Sequence, residues 1–218
     1  MTGVMQVMLG GSFAPPLPDI GAAYEGGFFA GQINVSGTKY NLVVSPKASG
    51  QGSNLKWGVN AVSTGATSLI NGPANSALLA SLGPLYECAK FCEDLNIGGY
   101  SDWYMPAKNE LEVLYYFLKP TTDTNYTSSG SNANAVSPEP VNTNYSSGSP
   151  AQTSATGVTG FRTGEANAFP ASATDNHYNS TETSLYDCCM QLFIDGHQYI
   201  DNGKQNLQFV RAVRRVPA

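Results

Sequence analysis

The chain has 218 residues, of which only 12% are charged, and a net charge of −5. Phosphate recognition needs clustered Lys and Arg, and the one basic cluster is the C-terminal "VRAVRR", so nucleic acid is excluded as an expected partner. No run approaches the ~18 apolar residues of a membrane helix, and the length suits one elaborated domain.

Ser, Thr, Asn and Gly are abundant while aromatics reach 11%, a mix that predicts a loop-rich, β-containing protein with a core. Residues 1–19 contain "APPLPD" and read as an extended arm ahead of a domain over 20–218. The apolar "MTGVMQVML" lacks a basic leader and does not read as a signal peptide, so synthesis in a cytoplasm with reduced thiols is expected. "GGFFAGQI" and "KYNLVVSP", separated by "NVSGT", predict a β-hairpin. Lys47–Gly52 reads as a loop and Trp57 as a core plug.

Pro84 opens a predicted helix to about Leu95, with Leu85, Cys88, Ala89, Cys92 and Leu95 on one buried stripe and Gly98-Gly99 as its stop. A second helix covers about Lys108–Leu118, with Leu111, Leu114, Tyr115 and Leu118 inward, and Pro120 ends it. From Thr121 to Thr156 there is no Lys or Arg and almost no aliphatic residue. The closing third reads as short strands, the last with Phe209, Arg211, Val213 and Arg215 on one face and Val210, Ala212, Arg214 and Val216 on the other. Hairpin, two helices, long loops and a final antiparallel set give an α+β arrangement.

Three motifs in order, "GGYSDWYMPAKNELEVLY", "YNSTE" and "FIDG…K…FVRAVRR", together with "INGPANSALLAS", "FLKPTTDTN" and "PAQTSA", resemble the C-terminal domain of bacterial collagen-like adhesins, in the branch found in virion proteins of tailed phages. By fold alone the chain is similar to the phage major tropism determinant and to formylglycine-generating enzymes, and shared fold does not transfer activity. The resemblance implies a C-type-lectin-like fold of two helices and antiparallel strands with long irregular loops. It implies structural roles for Gly98, Gly99, Trp103, Pro106, Glu110, Glu182, Arg211 and Arg214. Two positions depart from the family pattern. Ala107 replaces the Ser or Thr that would cap the second helix while Glu110 is retained, and Tyr178-Asn179 replaces Trp-Ser.

Chemistry is sparse. No phosphate-binding loop, dinucleotide fingerprint, metalloprotease helix or nucleophile elbow occurs, and the spacing of Cys88, Cys92, Cys188 and Cys189 matches no zinc template, so buried thiols are expected. "EPVN" (Glu139–Asn142) resembles a calcium-lectin loop only superficially, and neither metal nor cofactor is expected. His177 lies in a polar stretch and reads as solvated. Asp102, Glu110 and Glu182 are expected to pair with the C-terminal arginines rather than to form a carboxylate dyad.

What remains is recognition. In the 121–156 segment, Tyr126, Asn132, Asn134, Asn142, Asn144 and Tyr145 form a candidate contact surface of rigid rings among adaptable polar groups. The expectation is a non-enzymatic virion protein, a homotrimer bound to other virion subunits and attaching to a host receptor or glycan. The alternative is a capsid, collar or baseplate decoration protein whose loops only touch neighbouring subunits.

Overall fold

A computed structural model describes residues 16–136, 143–146 and 158–218. Two five-stranded sheets organise them. In the first, β1 (Ala23–Tyr24), β2 (Gly27–Val35), β3 (Thr38–Val44) and β10 (Val213–Pro217) lie in that order, with β5 (Ala135–Val136) also on β2. In the second the order is β4 (Gln51–Leu55), β9 (Gln208–Arg211), β6 (Asn176–Glu182), β7 (Asp187–Leu192) and β8 (Gln198–Gly203). All pairings are antiparallel except β6 with β9.

Strands and bridges take 31% of the described residues and helix 17%. The expected α+β, C-type-lectin-like class is therefore corrected to a β-rich fold. The physical reason lies in the strands: β1, β4, β5 and β8 are short and lack apolar alternation, and the helical stripe outweighs such segments in a sequence reading. The single strand expected at the end is in fact two, one in each sheet. At the crossing, Ala212 accepts from Ser45 and donates to Gly50.

The predicted hairpin is β2–β3, closed by Ser36 (φ 51°) and Gly37 (φ 92°), with Asn34 Oδ1 accepting from the Gly37 N–H at 2.8 Å. Both faces of β3 are covered, which explains its unbroken "LVV". Leu42 and Val44 join a core with Ile33, Leu111, Leu114, Phe161 and Phe193, while Val43 joins a second with Trp57, Leu79, Trp103, Tyr178 and Val210. At Gly31 (φ 116°) β2 bulges under α4 (Lys108–Leu118); a Cβ there would stand 2.8 Å from Phe117 and Val113. The four thiols are free and buried.

Helix α4 lies where its periodicity puts it, with Leu111, Leu114, Tyr115 and Leu118 fully buried. Alanine 107 has no side-chain acceptor, yet the first turn is satisfied. Glu110 Oε2 accepts from Ala107 N at 2.7 Å, Thr181 Oγ1 from Lys108 N at 3.1 Å and Leu69 O from Asn109 N at 2.9 Å. The capping hydroxyl missing from position 107 thus arrives from β6. The preceding helix is shorter than expected. It is α3, Glu87–Glu93, so Pro84 lies outside it, Leu85 is exposed at 58%, and Gly98 and Gly99 do not stop the helix but form a later turn at φ 64° and 86°. One turn of helix, α1 (Lys47–Gly50), stands where a loop was expected, and α2 (Gly72–Ser81) is a further helix that reading did not contain. No helix among the described residues is long and apolar enough to cross a membrane.

Candidate functional site

The described part of the polar segment after α4, residues 121–136 and 143–146, is bolted to the fold. Lys119, wholly buried, donates its ammonium to Asp123 O and to Asn125 Oδ1, which also accepts from the Tyr115 hydroxyl. Tyr126 N donates to Asp195 O at 2.8 Å, Gln198 N to Ser129 Oγ at 2.9 Å and Tyr145 N to Ser129 O at 2.9 Å. Its described residues, 121–136 and 143–146, therefore meet the β7–β8 hairpin through a main-chain bond at Tyr126 and through the Ser129 hydroxyl.

Of the candidate surface residues, the structure buries Tyr145 and Asn132 and leaves Tyr126 and Asn144 exposed. Tyr145 is 6% exposed; its hydroxyl donates to Glu112 and its ring packs edge-on against Tyr115. Asn132 is buried and donates to Asn109 O at 2.8 Å. Asn134 bridges Asn109 and Asn34, and Asn144 is exposed with its Oδ1 accepting from Ser131 N. Asn142 and "EPVN" lie outside the described residues. Asn132, Asn134 and Asn144 serve as connectors because an amide has both donors and an acceptor, so it can satisfy the unpaired backbone groups of an irregular loop.

Tyr126 keeps an outward ring. It is 40% exposed and stacks on His197 at 3.7 Å between centroids with planes 17° apart. His197 in turn meets Tyr199 at 3.9 Å and 32°. Neither His197 nor Tyr199 was singled out from sequence for this site, although their i,i+2 spacing puts them on one side of an extended segment. The ladder is held in place from beneath. His197 N donates to Asp195 Oδ1 at 3.0 Å, and the Gln198 side chain donates to Glu112 at 2.9 Å. Glu112 also accepts from Gln191 and Tyr145, and burial pushes its carboxyl up to about 7.

The motif corner is a frame. Trp103 is 1% exposed and donates to Tyr100 O, and Pro106 is buried with its carbonyl accepting from Ser180. Arg214 grips Asp102 through two bonds, 2.7 and 3.0 Å, while its guanidinium lies 3.8 Å over the Tyr100 ring. Arg215 stands 3.6 Å from Glu110, whose carboxyl is pushed up to about 7 by burial, with Arg215 pulling the other way. Glu182 accepts from Thr64 and Gly65 N–H groups and pairs with buried Lys204, whose ammonium also reaches Val62 O and Leu185 O. A lysine ammonium thus fills an oxygen-lined cage between three loops. Among the described residues no group of three His, Cys, Asp or Glu could hold a metal.

Arg211 is fully buried, bonded to Ser45 O at 2.8 Å and Gln51 at 3.0 Å, and burial lowers it to about 9. His177 is not solvated. It is buried among Phe169, Phe193 and Phe209, and desolvation, then Arg211, lowers it to about 3, so the imidazole is neutral. Compared with family models, with curated proteins and with solved structures, the chain gives no match in any of the three.

Proposed function

We propose that the protein is a non-enzymatic virion component of a tailed phage that attaches through the Tyr126–His197–Tyr199 ladder. The observation that carries the reading is this stack: three partly exposed rings, two on the β7–β8 hairpin and Tyr126 on the loop bonded to it. Rigid amphipathic rings lose little entropy on binding, which makes them effective anchors. The phage setting is supported by the sequence motifs. The protein would work as a homotrimer among other virion subunits, its partner a host-surface receptor or glycan. The test is attachment of purified protein to host cells with Tyr126→Ala and Tyr199→Ala combined. Attachment is expected to fall at least about tenfold with the melting midpoint nearly unchanged; undiminished attachment would refute the reading.

The decoration-protein reading has its own support. Val62, Leu185, Tyr186 and Ile200 are exposed at 39%, 47%, 55% and 62%. Lys204 binds the Val62 and Leu185 carbonyls by its side chain and the Tyr186 carbonyl by its N–H, and Thr183 binds that of Ile200, so the four belong to adjoining loops and strands. Such residues suit contact with a neighbouring subunit. Locating the protein in the intact particle, distal on a fibre or tiled on a shell, separates the two.

A further inference from the structure

Beside the motif corner lies an open cavity of about 390 Å³, walled by Tyr40, Trp103 and Tyr104 and carrying Glu93, Asp102 and Arg215. Its charges do not cancel. Asp102 is neutralised by Arg214. Arg215 faces Glu110, donates to Asn71 Oδ1 at 2.8 Å and to Ile70 O, and lies 4.8 Å over the Tyr40 ring and 5.8 Å over the Tyr104 ring. Lys90, on the same helix as Glu93, is held by Asp94. Glu93 is left with no ion pair among the described residues, and its Oε1 is buried without a hydrogen-bond partner. Burial raises its pKa, against a hydrogen bond from Ser76 that lowers it. A desolvated carboxylate oxygen with no donor is costly unless something supplies one.

We infer that this cavity binds an alkylammonium group, its charged end on Glu93 and its aliphatic stem against Trp103, Pro73 and Ala77. A cation restores the missing donor and the missing charge together. A neutral alcohol restores only the donor, and an anion would face the uncompensated Glu93. The apolar wall of rings and of Pro73 and Ala77 suits a stem of a few methylenes. The same chemistry is presented by a lysine side chain of a partner protein and by an amino sugar.

The test uses the full chain and follows backbone amide shifts at Ala77, Glu93 and Tyr104 by NMR. Probes are n-butylammonium, n-butanol and butyrate at constant ionic strength. Butylammonium is expected to saturate in the millimolar range, as suits so few atoms, with butanol and butyrate at least about tenfold weaker. Glu93→Gln should weaken butylammonium by a similar factor, and Ala77→Leu, which fills the cavity without touching a charge, should abolish binding. Thermal melts of both variants check that the fold persists. Nα-acetyl-lysine amide and glucosamine then distinguish the two sources by which one binds tighter. Equal binding of butanol, an unaffected Glu93→Gln variant, or no saturable shift with any amine would each overturn the inference.

Discussion

The corner at Gly98–Leu118 and the segment that follows Pro120 use opposite materials for the same purpose. The corner is built of rings and ion pairs: Trp103 buried under the turn, Asp102 gripped by Arg214, Glu110 near Arg215. The segment is built of amides and hydroxyls, with Asn125, Ser129, Asn132 and Tyr145 buried and bonded. The difference teaches that polarity of composition does not mark a surface. A polar loop can lie inside when each of its donors and acceptors finds a partner, and its one exposed ring, Tyr126, is then held firmly by what surrounds it.

The largest expected effect breaks the corner. Trp103→Ala removes a fully packed ring and should cost about 3–5 kcal/mol, a large part of a domain's stability. Urea unfolding of purified protein checks it; a loss below ~1 kcal/mol would make the ring a surface feature rather than a plug.

The next sharpens the comparison through its two buried acids. Glu110 and Glu112 are each raised from 4.5 to about 7. The folded state therefore holds their protons more tightly than the unfolded chain does. The stability from these two groups is fully present below pH 4.5 and is lost as pH rises toward 7, by up to ~1.4 kcal/mol per pH unit for each group. His177 titrates the other way: lowered to about 3 from 6.5, it withdraws stability as pH falls below 6.5. Glu112→Gln should flatten the decline between pH 4.5 and 7 in a pH series of melts. A slope equal to that of the parent would mean Glu112 stays ionised throughout.

The smallest effect concerns the cap of α4. Ala107 is fully buried, and Thr181 already serves the Lys108 N–H. Placing a hydroxyl at this position with Ala107→Ser should therefore bring none of the ~1 kcal/mol usual for an N-cap, and a melting midpoint raised by the substitution would contradict the cap supplied by Thr181.

Much of the frame was legible because its signals are local. The 3.6-residue stripe of Leu111, Leu114, Tyr115 and Leu118 fixed α4, and "NVSGT" fixed the β2–β3 turn. Pairing of Asp102 and Glu110 with C-terminal arginines followed from the rule that a buried charge needs a counter-charge, whereas Glu182, expected to do the same, pairs with Lys204. What was not legible depends on distant partners. β4, "QGSNL", is a strand only because β9 pairs with it, and α2 has almost no apolar asymmetry. His177 looks polar in sequence but is enclosed by three phenylalanines from separate segments. The ladder joins Tyr126 to residues about seventy positions later, so only the i,i+2 pairing of His197 and Tyr199 could have pointed to half of it.

The central claim is that residues 121–136 and 143–146 are part of the folded structure and hold the ladder ready before any partner arrives. Amide hydrogen exchange on the isolated protein tests it directly, at the Tyr126, Tyr145 and Gln198 N–H groups that bond Asp195 O, Ser129 O and Ser129 Oγ. The account predicts protection at all three comparable to the amides of α4, with no ligand added. Exchange at the rate of an unstructured chain at Tyr126 and Tyr145, while α4 stays protected, would contradict it.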